Sequence, residues 1–91
     1  MGSQLPRKKN NIEMRKLGKE CLLYDEDSGK IHHMNPTATF IWEKCDECTT
    51  MEELLAELKK NYPKVEPERL EKDLNSALEN FTNLKLMEVQ G

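Results

Sequence analysis

The pair Asn35-Pro36 divides the chain into two parts with different hydrophobic periods. Asparagine is a strong helix N-cap, and proline fits the first helical position because no backbone donor is needed there. Before the pair, apolar residues come in short alternating runs. Ile12 and Met14 alternate with Glu13 and Arg15, as in a half-buried strand. Leu17-Gly18-Lys19-Glu20 turns the chain, and Cys21-Leu22-Leu23-Tyr24 suits a second strand. Asp25-Glu26-Asp27-Ser28-Gly29 is a turn in which Gly29 supplies a positive φ, and Lys30 to Met34 reads as a third strand. Two short loops joining three strands imply an antiparallel meander.

After the pair the period becomes helical. Ala38, Ile41, Trp42 and Cys45 share one face of a first helix that ends near Cys45-Asp46. Thr50 and Glu53 have the capping-box spacing, and Met51, Leu54, Leu55, Leu58 and Tyr62 form a second stripe that Pro63 ends. Glu66-Pro67 opens a third helix with the stripe Leu70, Leu74, Ala77, Leu78 and Phe81. The apolar tail Leu84, Leu86, Met87 and Val89 either extends that helix or forms a terminal strand. The fold class is therefore α+β: a three-stranded antiparallel sheet followed by three helices, an order that also suits a winged helix-turn-helix.

At 91 residues the chain has room for one small domain. The expected division is a flexible basic arm over residues 1–11 and a single domain over residues 12–89. Residues 1–20 carry six Lys/Arg against two Glu, whereas residues 21–91 carry eight Lys/Arg against fifteen Asp/Glu. An acidic body argues against a nucleic-acid partner. No apolar run approaches the length of a membrane span, and the N-terminus has no apolar signal core. Three cysteines do not make a disulfide framework, so the expected setting is cytoplasmic with reduced thiols.

The stretch Gly29-Lys30-Ile31-His32-His33-Met34-Asn35-Pro36-Thr37-Ala38 resembles the third strand and first helix start of PqqD-like proteins. Ile41-Trp42-Glu43 is similar to the family's first helix. Thr50-Met51-Glu52-Glu53-Leu54, and later Leu70, Asp73, Leu74 and Leu78, are similar to its second and third helices. The resemblance spans roughly Ile12 to Leu86 and departs from the family at Cys45-Asp46-Glu47-Cys48, where members carry an Asp-Gly-like turn. It implies a non-catalytic recognition element for ribosomally made, later modified peptides. Such an element binds the leader of a precursor peptide as an added strand and presents it to a modifying enzyme, often a radical S-adenosylmethionine enzyme. The implied site is the edge Lys30, Ile31, His32, His33 and Met34, bordered by Arg69, Leu70, Asp73, Leu74 and Ala77 of the third helix. Strand alternation puts Ile31 and His33 on one face, and His32 and Met34 on the other. The leucines at 70 and 74 also belong to the core stripe, and Arg69 and Asp73 also suit a solvated face.

Other chemistries have weaker sequence support. Cys45-x-x-Cys48 with His32-His33 has zinc-ligand residue types but lacks a well-spaced partner pair, so no metal is expected. The same cysteines as a redox dithiol need a βαβ context that strand-strand-strand-helix does not supply. Adjacent histidines on a strand point to opposite faces and act together poorly. There is no phosphate loop or nucleophile motif, so neither catalysis nor a cofactor is expected. A winged-helix DNA-binding regulator needs basic residues on its recognition helix. Here Arg69 and Lys72 face Glu66, Glu68, Glu71, Asp73 and Glu79. A third reading is a dimerising domain that pairs its open strand with a copy of itself.

Overall fold

A computed structural model describes residues 5–48 and 50–88. Along the chain these form β1 (Arg7–Lys8), β2 (Ile12–Leu17), β3 (Glu20–Asp25), β4 (Ile31–Met34), α1 (Pro36–Lys44), α2 (Met51–Asn61), α3 (Pro67–Asn83) and β5 (Met87–Glu88). Strands β2, β3 and β4 form an antiparallel sheet in that order, so β4 is an edge. The three helices follow the sheet, as the change of period at Asn35-Pro36 requires.

Both meander turns rest on glycine. Gly18 (φ 66°) closes the β2–β3 hairpin and Gly29 (φ 75°) closes β3–β4; both are in the left-handed region that a side chain resists. The second turn is tied down by Asp25. Its Oδ1 accepts the Asp27 N–H at 2.9 Å, the Ser28 N–H at 3.3 Å and the Asn11 side-chain amide at 2.7 Å. Burial pushes the Asp25 carboxyl up. The bonds from Ser28, Asp27 and Asn11 together outweigh this and hold it below its ordinary value.

One face of the sheet packs on the helices. Cys21, Leu23 and Met34 are buried there with Ile41, Trp42, Leu54, Leu58, Leu70, Leu74, Leu78 and Phe81. Trp42 and Phe81 meet edge to face with centroids 5.1 Å apart. Asn35 caps α1 by accepting the Ala38 N–H at 2.8 Å, and Thr50 caps α2 by accepting the Glu53 N–H at 3.2 Å. Thr39 is buried although the apolar pattern gave no sign of it. Its hydroxyl donates to the Met34 carbonyl at 3.3 Å, which satisfies the group and ties α1 to the end of β4.

Two features correct the expectation of a loose arm over residues 1–11. Leu5 is only 3% exposed and joins the core, and Arg7–Lys8 pairs antiparallel with Met87–Glu88. Lys8 also lies 4.6 Å from the Trp42 ring centre and 2.8 Å from Asp46. One basic residue that looked solvated, Lys8, is held by an aromatic face and a carboxylate. The partner strand exists because α3 ends abruptly. Lys85 is left-handed (φ 62°), the Leu86 N–H bonds to the Phe81 carbonyl at 2.8 Å, and the Lys85 N–H bonds to Thr82 at 3.0 Å. This is the Schellman arrangement, and it turns the apolar tail back as a strand. Residues 1–4 and Val89, parts of the expected arm and tail, are outside the described residues.

Candidate functional site

The hydrogen-bond alternation of the sheet determines what its β4 edge offers. In an antiparallel ladder, opposed residues either exchange backbone bonds with each other or aim both groups at the far side. The Asp25 N–H bonds to the Lys30 carbonyl at 2.9 Å, so that opposed pair is a bonded one. Two residues along, His32 opposes Leu23, and two further, Met34 opposes Cys21. These pairs are bonded in the same way. Ile31, opposite Tyr24, and His33, opposite Leu22, therefore aim their N–H and C=O groups outward. Two donors and two acceptors, spaced as in a strand, line this edge, which no other strand among the described residues pairs with. The other edge of the sheet, on β2, is engaged at its start, where the Ile12 N–H meets the Lys9 carbonyl at 3.4 Å.

Side-chain facing follows the expected alternation. His32 is half-buried and Met34 buried on the helix side, whereas Ile31 (62% exposed) and His33 lie on the outer face. His33 Nε2 is 2.5 Å from a Glu20 oxygen on the neighbouring strand.

A cleft of about 570 Å³ opens next to the end of β4. One wall is the start of α1, with Asn35, Thr37 and Ala38. The other is α3, with Arg69, Asp73, Ser76, Ala77 and Asn80. Three of the five helix positions expected at the site, Arg69, Asp73 and Ala77, line this wall. Arg69 and Asp73 also sit 3.9 Å apart as an exposed pair, too weak to lock either side chain. The other two do not reach it. Leu70 is 2% exposed and Leu74 1%, so both are core beneath the wall rather than surface in it. Ser76 and Asn80, which were not among the expected positions, line the same wall, seven and eleven residues after Arg69 on one helical face. Another hollow of about 570 Å³ lies between the β2–β3 turn and α1 and α2; neither hollow is lined by β4 itself, and the cleft on α3 adjoins the strand through Asn35, the residue after Met34.

Among the described residues no group of three or more His, Cys, Asp or Glu side chains is placed to hold a metal ion. Burial pushes the Cys45 thiol up to about 12, and burial also raises Cys48, which keeps both protonated near neutrality. The turn they occupy closes with backbone bonds from Glu47 and Cys48 N–H to the Lys44 carbonyl, both 3.0 Å. The outward face of α3 carries Glu68, Glu71 and Glu79 beside Arg69 and Lys72, the wrong sign for a phosphate backbone.

The family model described as Coenzyme PQQ synthesis protein D (PqqD) matches residues 20–87, most of the chain. The chain belongs to the PqqD family. The match takes in β3, β4, the three helices and Met87, and so includes both the open edge and the cleft. Two solved structures share the PqqD-family fold seen here. One is TbiB1 in complex with the TbiA(beta) leader peptide, with a TM-score of 0.83, 20% identity, and coverage of 93% of this chain and 98% of that one. The other is lasso peptide synthetase B1 complexed with the leader peptide, with a TM-score of 0.77, 20% identity, and coverage of 92% and 96%. Among curated proteins there is no significant match. No helix among the described residues is long and apolar enough to cross a membrane.

Proposed function

We propose that this PqqD-family chain is a non-catalytic recognition element in the biosynthesis of a ribosomally made peptide product. It captures the leader of a precursor peptide on the open edge of β4. The observation that carries this reading is the pair of outward-facing backbone positions, Ile31 and His33, beside a cleft walled by α3. An extended guest satisfies those groups and gains affinity from backbone bonds with little demand on sequence. Its side chains on the helix side then enter the cleft past Arg69, Asp73 and Ala77. Leu70 and Leu74 serve by holding α3 at the right distance. The two solved structures that share this fold were captured with leader peptides, which supports the same ligand class here.

The bound leader is then presented to a modifying enzyme. A radical S-adenosylmethionine enzyme is the partner class that the family resemblance implies. The setting we propose is the cytoplasm, in keeping with three free cysteines. The test is a titration of the isotope-labelled protein with leader peptides of candidate precursors. Backbone amide shifts should gather on Lys30 to Met34 and on Arg69 to Ala77. Shifts confined to Cys45–Cys48, or binding to random duplex DNA with a steep salt slope, would replace this reading with a thiol or nucleic-acid function.

A further inference from the structure

The outer face of the sheet adds to the open edge. Residues on that face are Glu13, Arg15 and Leu17 of β2, Glu20, Leu22 and Tyr24 of β3, and Ile31 and His33 of β4. The large hydrophobic side chains exposed among the described residues are Leu17, Tyr24 and Ile31, and all three lie here. A hollow of about 290 Å³ runs across the face, floored by Leu22, Tyr24 and Ile31 and edged by Glu13 and Arg15. The cleft on the helix side has the opposite character. Apart from Ala38 and Ala77, its lining side chains are polar or charged.

A strand added to β4 is two-faced by construction, because successive side chains point to opposite sides. The guest residue opposite Ile31 falls on the outer face and continues the row from Tyr24 to Ile31. The residues before and after it point toward α3, among Asn35, Arg69, Asp73 and Asn80. We propose that the leader segment held at β4 alternates, with a large apolar or aromatic side chain beside Ile31 on the outer face and small polar side chains toward α3. This inference rests on the peptide-capture reading and adds to it the chemistry of the ligand. Apolar cross-strand pairs favour the first position. At the second, a bulky apolar side chain would desolvate the polar groups of Arg69, Asp73 and Asn80 without replacing their hydrogen bonds, whereas a hydroxyl or amide satisfies them.

The test uses two synthetic nine-residue peptides of one composition, five Thr and four Leu/Tyr. In one they alternate; in the other they are segregated into two blocks. Fluorescence anisotropy gives affinity, and hydrogen exchange at the Ile31 and His33 amides reports edge pairing. The expected result is tighter binding of the alternating peptide, with both amides protected. Ile31→Ser and Tyr24→Ser alter exposed side chains that the core does not use. Each should weaken the alternating peptide by about two- to five-fold and the block peptide by less, because only the alternating peptide sets every apolar side chain on the outer face. Equal affinities for the two peptides, no binding of either, or indifference to both substitutions would overturn the inference. If the amides are still protected when that happens, edge capture stands and only the assigned pattern falls. If a tightly bound leader leaves the amides unprotected, edge capture itself fails and takes the pattern with it.

Discussion

Replacing His33 with proline separates the open edge from the internal ladder within a single strand. The His33 N–H points away from β3, so His33→Pro removes a donor that the free protein does not use in its own sheet. The preceding His32 is already extended, the conformation that a residue before proline prefers. Stability should fall by no more than about 1 kcal/mol beyond the His33→Ala control, which accounts for loss of the exposed Glu20 contact. Guest binding should suffer more. One lost backbone bond is worth about 0.5–1.5 kcal/mol, or roughly two- to thirteen-fold in Kd, and the ring blocks close pairing in addition. His32→Pro is the mirror experiment. It removes the donor to Leu23, whose residue is fully buried, and leaves a carbonyl unsatisfied at about 1–3 kcal/mol before any clash. Urea denaturation and anisotropy with a labelled leader peptide read the two effects. Equal leader affinity for His33→Pro and His33→Ala would refute the reasoning, because the outward amide would then contribute nothing.

Three further outcomes test the fold. Leu5→Ala should destabilise by about 2–5 kcal/mol in urea melts, as for a core leucine; an effect near zero would return this segment to a loose arm. Lys85→Gly should stabilise by about 1 kcal/mol, since glycine takes the left-handed position without the penalty a side chain incurs; a loss of stability would show the Schellman turn to be wrongly assigned. Asn11→Ala removes a bond to ionised Asp25, so it should raise the Asp25 pKa and destabilise the protein near neutral pH. The stability that comes from the lowered Asp25 pKa is present above its ordinary value of 3.8 and is lost as pH falls through the lower folded value. The gap between wild type and variant should therefore close in acid. A gap independent of pH would assign Asn11 a role in packing alone.

The elements that positioned the site were readable because they rest on local chemistry. Asn35 and Pro36 mark the start of α1, Gly18 and Gly29 mark the hairpins, and the helical stripes mark the core whatever lies across from them. What stayed hidden depends on contacts distant in sequence. Nothing near Arg7–Lys8 announces a strand, because its partner is Met87–Glu88 at the other end of the chain. Leu5 reads as one apolar residue in a basic arm until the core behind it is seen. At the candidate site, Arg69, Asp73 and Ala77 followed from the family resemblance, which sets the third helix beside the edge strand. Leu70 and Leu74 are one residue away on that helix, and periodicity alone does not say where core gives way to cleft wall. Ser76 and Asn80 were overlooked because polar residues on a helix ordinarily signal only solvent.

Hydrogen exchange resolved to single amides is the most direct test of capture at β4. In the free protein the Ile31 and His33 amides should exchange quickly while the His32 amide, bonded within the sheet, exchanges slowly. Saturating leader peptide should slow Ile31 and His33 and change His32 little. Fast exchange at both positions in a fully bound complex would contradict the account, as would slow exchange at both before any peptide is added.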